Sequence, residues 1–170
     1  MKRIFVTLFF LILAINFPKS VWAYSKVDIL TSINSTRKEY LQKELKENEL
    51  LKEAAENKLA DIQKYSYWAH NNPITGKTWL SFVKNTGFRG ISGENLAKGF
   101  SNTEKMIKAW IVSPSHKKNL LSSGYNSVGI AMGEVKYGEK TETVVVTVFG
   151  KNYLFATAIK NFSNSLAYSP

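Results

Sequence analysis

The 170-residue chain has no cysteine. That excludes disulfides, thiolate metal sites, a cysteine nucleophile and a lipid-modified cysteine, so an exported form must be held by packing alone. Histidine is nearly as scarce: His70 and His116 are the two in the chain, and any imidazole chemistry runs through them. Acids are in deficit, with 13 Asp and Glu against 23 Lys and Arg and a formal net charge of +10. The lysines are dispersed among acids and no groove-reading motif is present, which argues against nucleic acid as a partner. The excess suits anionic surfaces or polysaccharides, or a solvated basic surface with no dedicated site. Nothing repeats at a fixed period, and past the N-terminus no segment is apolar enough to cross a bilayer.

The N-terminus has the pattern of an export signal. Met1-Lys2-Arg3 is basic, Ile4 to Phe17 is mostly apolar, and Val21-Trp22-Ala23 offers a cleavage site. The apolar run falls short of the ~20 residues of a membrane span. Cleavage after Ala23 is expected. It leaves 147 of the 170 residues, enough for one domain with its own core. Lys2, Arg3 and Lys19 leave with the signal, so the mature charge is +7. The expected destination is extracellular or periplasmic.

Periodicity predicts helices over 26–46, with Val27, Leu30, Ile33, Arg37, Tyr40 and Leu41 at helical spacing, and over 49–65 behind Asn48 as a cap. A short helix is expected over 77–85. Ser101-Asn102-Thr103-Glu104 has the form of a capping box opening another helix. Ser113-Pro114 closes that helix and starts the next, with Ser113 as N-cap and proline at the first position. Strands are predicted over 91–97, 127–135 and 141–149, the last two joined by a turn at 137–140. Helices around a few antiparallel strands make an α+β fold. After Gly150, Phe155, Ile159, Phe162 and Leu166 fall on one helical stripe, expected to dock on the domain through Phe155 and Ile159.

Glu94 lies between Ile91 and Leu96. A carboxylate inside an apolar segment needs donors or a cation, and His70 and His116 are the natural candidates. Two imidazoles and a carboxylate can hold a divalent metal with water completing its shell, can transfer protons, or can be a polar network that fixes helices against the sheet. The residues alone leave these readings open. Ser113 and His116 share a helix face, but a serine before proline is better explained as a cap, and no Gly-x-Ser-x-Gly elbow exists.

His70, then Gly93-Glu94-Asn95-Leu96-Ala97-x-Gly99, then Trp110-x-x-Ser113-x-x-His116-x-x-Asn119-Leu120-Leu121, then Tyr125-x-x-Val128-Gly129-Ile130 together resemble the CAP superfamily. That superfamily comprises cysteine-rich secretory proteins, antigen 5 and pathogenesis-related 1 proteins, and its domain is also called the SCP domain. The Ser-x-x-His variant and the absence of cysteine resemble its bacterial branch. The resemblance divides the chain into a signal peptide (1–23), a CAP domain (26–150) and a C-terminal extension (151–170). It implies a three-layer α-β-α sandwich around a three-stranded antiparallel sheet. It also implies a central cleft lined by two histidines and two acids, where divalent cations have been placed.

His70, Glu94 and His116 match three of those four positions and are the implied ligands for zinc or another divalent cation, although no cofactor is required. Ser113 stands where many eukaryotic members have glutamate. That loss should weaken metal affinity and undercuts a borrowed hydrolytic mechanism. With Asn95, these five residues form the candidate ligand-binding set, and none is assigned as catalytic. The resemblance favours a secreted binding or interaction module, accommodating a cation or lipid, over a metal-assisted hydrolase of peptide or cell-envelope polymer.

Overall fold

The structure, a computed structural model, describes residues 24–153. The signal segment and the stripe from Phe155 to Leu166 lie outside the described residues. Chain order is α1 (Lys26–Glu39), β1 (Lys46–Glu47), α2 (Glu49–Tyr65), α3 (Trp79–Asn85), β2 (Gly90–Lys98), α4 (Thr103–Val112), α5 (Pro114–Leu120), β3 (Ser127–Tyr137) and β4 (Lys140–Asn152).

α1 is shorter than its spacing predicts. Ser25 and Asp28 form a capping box at its start. At its end Leu41 takes a left-handed φ of 57°, and the amides of Tyr40, Leu41 and Gln42 turn back onto the carbonyls of Thr36, Lys38 and Arg37. The buried face also differs from the predicted one. Ile29, Ile33, Thr36 and Arg37 are buried, while Val27 and Leu41 are exposed. The residues freed beyond α1 form β1, which pairs in parallel with β3 through Lys46↔Ser127 and Glu47↔Val128. The sheet is therefore four-stranded and mixed, in the order β1-β3-β4-β2, rather than three-stranded and antiparallel. A two-residue Lys-Glu strand has no alternation from which sequence could infer it.

β2 and β3 flank β4 antiparallel, from Gly90↔Asn152 to Lys98↔Val144 and from Ser127↔Gly150 to Tyr137↔Lys140. Alternation along β4 sends Val144, Val146 and Val148 into a core with Leu51, Ala54, Ala55, Leu59 and Ile62 of α2. It sends Val145 and Phe149 into a second core with Ile29 and Ile33 of α1, Met106, Ile107 and Trp110 of α4, and Leu120 of α5. The three layers are thus α2 with α3, the sheet, and α1 with α4 and α5. α2 lies so close to β3 that a Cβ on Gly129 would stand 2.0 Å from the Leu51 carbonyl carbon.

Two caps differ from expectation. α4 is capped by Asn102, whose side chain accepts from the Lys105 amide, not by Ser101. Ser113 occupies the N-cap position of α5 with Pro114 behind it, but makes no side-chain cap bond. Its hydroxyl stands 3.3 Å from that of Ser115.

Candidate functional site

β2 is an edge strand, and the candidate site is built on it. Alternation turns Glu94 toward the α2 layer and Asn95 toward the α5 layer, so the two helical layers meet around this edge. The outward carbonyls of β2 are covered by side chains: Asn119 Nδ2 donates to Glu94 O at 3.0 Å and Trp110 Nε1 to Leu96 O at 3.1 Å. An edge closed in this way is not free to pair with another strand.

Three of the five predicted residues converge here. His70 Nδ1 and Glu94 Oε1 share a hydrogen bond of 2.6 Å. The glutamate side chain is 2% exposed and the imidazole 50%, so a buried carboxylate orients a ring that faces solvent. The His116 ring lies 6.5 Å from that of His70, centroid to centroid, and packs at a similar distance from Trp110. Asn95 is fully buried in mid-strand. Its Nδ2 donates to His116 O at 3.0 Å and its Oδ1 accepts from Asn119 at 3.0 Å, so it positions α5 instead of facing the cleft. Ser113 has its hydroxyl contact with Ser115 and does not join the group.

The open part of the site is a cleft of about 250 Å³ lined by His70, Trp79, Ser92, Gly93, Glu94 and Asn119. Gly93 keeps it open: a Cβ there would stand 2.6 Å from Asn119 Oδ1 and 2.7 Å from Tyr125 OH.

Lys58 supports the site from beneath, and the sequence reading did not assign it. It is fully buried, and its Nζ donates to Tyr67 OH at 2.7 Å, Ala69 O at 3.0 Å and His70 O at 2.6 Å. All three ammonium protons are thus engaged. Tyr67 OH donates on to Asp61, which also accepts from Asn72 Nδ2. Asn72 Oδ1 in turn caps the amides of Ile74 and Thr75. A single network therefore fixes the loop that presents His70. The signal was visible in the sequence: Lys58 falls on the apolar face of α2, in register with Leu51, Ala54, Ala55, Leu59 and Ile62.

Burial pushes the Glu94 carboxyl up, against the His70 hydrogen bond and the Lys58 charge, which pull it down. Burial also lowers the Lys58 ammonium, with Glu94 and Asp61 opposing. His116 is lowered, first by burial and then by His70, so its neutral form is favoured beside the other imidazole. Among the described residues no group of three or more His, Cys, Asp or Glu is arranged to hold a metal ion. The geometry supplies the reason: Glu94 Oε1 is engaged by the ring nitrogen of His70 instead of facing a shared centre with both imidazoles.

The cysteine-rich secretory protein (CAP) family model matches residues 30–149. The chain belongs to the CAP family. Both histidines, Glu94 and the supporting Lys58 fall inside the matched span. The uncharacterized protein YkwD of Bacillus subtilis (strain 168) is 32% identical over 118 residues, covering 69% of this chain and 45% of that protein. The chain thus spans less than half the length of that relative. Among solved structures, an outer surface protein from Borrelia burgdorferi aligns with a TM-score of 0.62 at 22% identity, over 76% of this chain and 96% of that one. An extracellular SCP-domain protein from Bacillus anthracis str. Ames aligns at 0.59 and 21% identity, over 73% and 39%. A cysteine-rich secretory protein from Staphylococcus aureus subsp. aureus Mu50 aligns at 0.58 and 20%, over 74% and 38%. These likenesses establish a shared fold, and the relatives are bacterial.

Proposed function

We propose that this CAP protein is an exported binding module whose edge-strand site recruits a divalent cation between His70, which lines the cleft, and the neighbouring His116. One observation carries the reading: a half-exposed imidazole fixed at Nδ1 by a buried carboxylate, with a second imidazole 6.5 Å away. When Nδ1 donates to Glu94, His70 Nε2 is left with an outward lone pair. Glu94 is then the outer carboxylate that orients a ligating histidine, not a ligand itself. This revises the expected three-ligand set to two imidazoles. Two protein ligands fit a loosely held cation completed by water or by a partner's donor; they do not fit a resident three-ligand centre. No hydrolytic step is assigned. Calorimetric titration of the mature protein with zinc at neutral pH tests the reading. Uptake lost in both His70→Ala and His116→Ala supports it, and no uptake by the wild type overturns it.

A separate observation favours lipid as a second ligand. A groove of about 620 Å³ runs between α1 and α4, lined in part by Tyr40, Ile107, Ile111 and Val112. Val112 is 82% exposed, an apolar side chain in contact with water on the apolar wall of a groove whose other side carries Ser32, Glu39, Glu104 and Lys108. The His70 cleft is too small and polar for an acyl chain. Displacement of a fluorescent fatty acid, weakened by Val112→Glu, is the expected result; undiminished binding in that variant sinks the assignment. Export itself rests on the N-terminal pattern, and among the described residues no helix is long and apolar enough to cross a membrane.

A further inference from the structure

We propose that a groove where α1 ends, separate from the histidine cleft, binds the oxyanion groups of an anionic polysaccharide. This gives the chain's positive charge a specific site. The groove has a volume of about 410 Å³ and is lined by Arg37, Lys43 and Lys151, with Gln42, Ser123 and Asn126 among the other contributors. No carboxylate lines it, and it shares no lining residue with the cleft at His70.

Arg37 is the feature that distinguishes this groove from a scatter of surface lysines. It is fully buried, yet its acceptors are all carbonyls: Lys43 O from Nε, Leu120 O and Ser122 O from Nη1, and Tyr125 O from Nη2 at 3.4 Å. A guanidinium has five N–H donors. Four are engaged, the last of them weakly. No carboxylate is ion-paired with Arg37 among the described residues, so its full positive charge is met only by carbonyl dipoles. With no accessible surface, Arg37 offers a ligand its charge and not a donor: the uncompensated field at the groove floor favours an oxyanion held by the flanking side chains. Lys43 and Lys151 flank it, and both are exposed.

The neighbouring groups indicate why the ligand is a glycan and not a free ion. Side-chain amides and a hydroxyl from Gln42, Asn126 and Ser123 match sugar hydroxyls, and Tyr125 adds an aromatic wall. The volume lies within the ~300–1,000 Å³ of small-molecule sites, well beyond one phosphate. The oxyanion can be a phosphate or a carboxylate, and the choice of probes separates them.

The test uses the full mature chain, because Arg37 variants would disturb the fold. Binding of phosphomannan, polygalacturonate and neutral dextran is measured at 0.15 M salt, with amide NMR shifts mapped. The expected result is binding to at least one charged glycan and none to dextran, with shifts at Gln42–Lys43 and Ser123–Asn126. Phosphomannan alone identifies phosphate as the ligand group, and polygalacturonate alone identifies carboxylate. Lys43→Gln with Lys151→Gln should weaken binding roughly tenfold, about 1.4 kcal/mol. Lys64→Gln with Lys84→Gln removes the same charge elsewhere and should leave binding within about twofold. Equal weakening by both pairs, shifts confined to other surfaces, or no binding to either charged glycan overturns the proposal. Zinc uptake should be unchanged in the Lys43/Lys151 variant, so this test and the cation test fail independently.

Discussion

Replacing Lys58 with methionine is the sharpest test of how the fold holds its site. Methionine keeps the length and volume of the stem but removes the ammonium. Three acceptors lose a donor: Tyr67 OH, Ala69 O and His70 O. Tyr67 still donates to Asp61, so the hydroxyl keeps a partner, while the two carbonyls lose theirs. A buried acceptor left unpaired costs ~1–3 kcal/mol, which puts the pair at roughly 2–6 kcal/mol. Both carbonyl bonds are part-buried, and relief of burying a cation, itself a cost of several kcal/mol, offsets part of the loss, so a net loss of roughly 1–3 kcal/mol is expected. For a domain of this size that is a fall in Tm of roughly 3–12 °C. Differential scanning calorimetry gives the stability, and histidine ring NMR shows whether His70 leaves Glu94. Lys58→Arg should restore only part of the loss, because a planar fork cannot reproduce three divergent donors. A Lys58→Met protein that melts within about 2 °C of wild type, with unchanged His70 resonances, refutes the claim that this lysine holds the loop.

Gly129→Ala should cost at or above the ~3 kcal/mol upper end of overpacking, because the new Cβ meets α2 backbone at 2.0 Å; chemical denaturation measures it, and a loss under ~1 kcal/mol would mean α2 can slide. Ser113→Ala should change stability by less than about 0.5 kcal/mol, since Ser113 makes no cap bond; a loss near ~1 kcal/mol would show that it caps α5. His116 has a lowered folded pKa, so its contribution to stability is complete above the unfolded value near 6.5 and is lost as pH falls through the folded value. The urea midpoint should therefore drop more steeply below pH 6.5 in wild type than in His116→Asn; parallel profiles would contradict this.

The long elements were legible in the sequence because their periodicity is long. α2 falls on 49–65 as predicted, with Asn48 as its cap, since Leu50, Leu51, Ala54, Ala55, Leu59 and Ile62 make one wide apolar face. β4 was marked by its β-branched run, although it extends three residues past the predicted end to Asn152. What escaped was tertiary. α1 stops at Glu39 because Arg37 is drawn in to clasp the carbonyls of Lys43, Leu120, Ser122 and Tyr125, contacts up to 88 residues away that no local pattern encodes. The candidate residues were found through motif order, and a carboxylate in an apolar strand did announce a partner. Which histidine would take it depended on the sheet order: β2 lies at the edge, with His70 on the Glu94 side. Lys58 was visible as a lysine on an apolar stripe, but its target, the backbone of the His70 loop, was not.

In the proposed function His70 and His116 together hold a divalent cation, with Glu94 as outer support. The most direct measurement is a crystal of the mature protein soaked with zinc and recorded at the zinc absorption edge. The expected result is an anomalous peak ~2.0–2.1 Å from His70 Nε2 and from a His116 ring nitrogen, with the His70–Glu94 hydrogen bond kept. A peak ligated by Glu94 in place of either histidine, or no peak between the two rings, would contradict it.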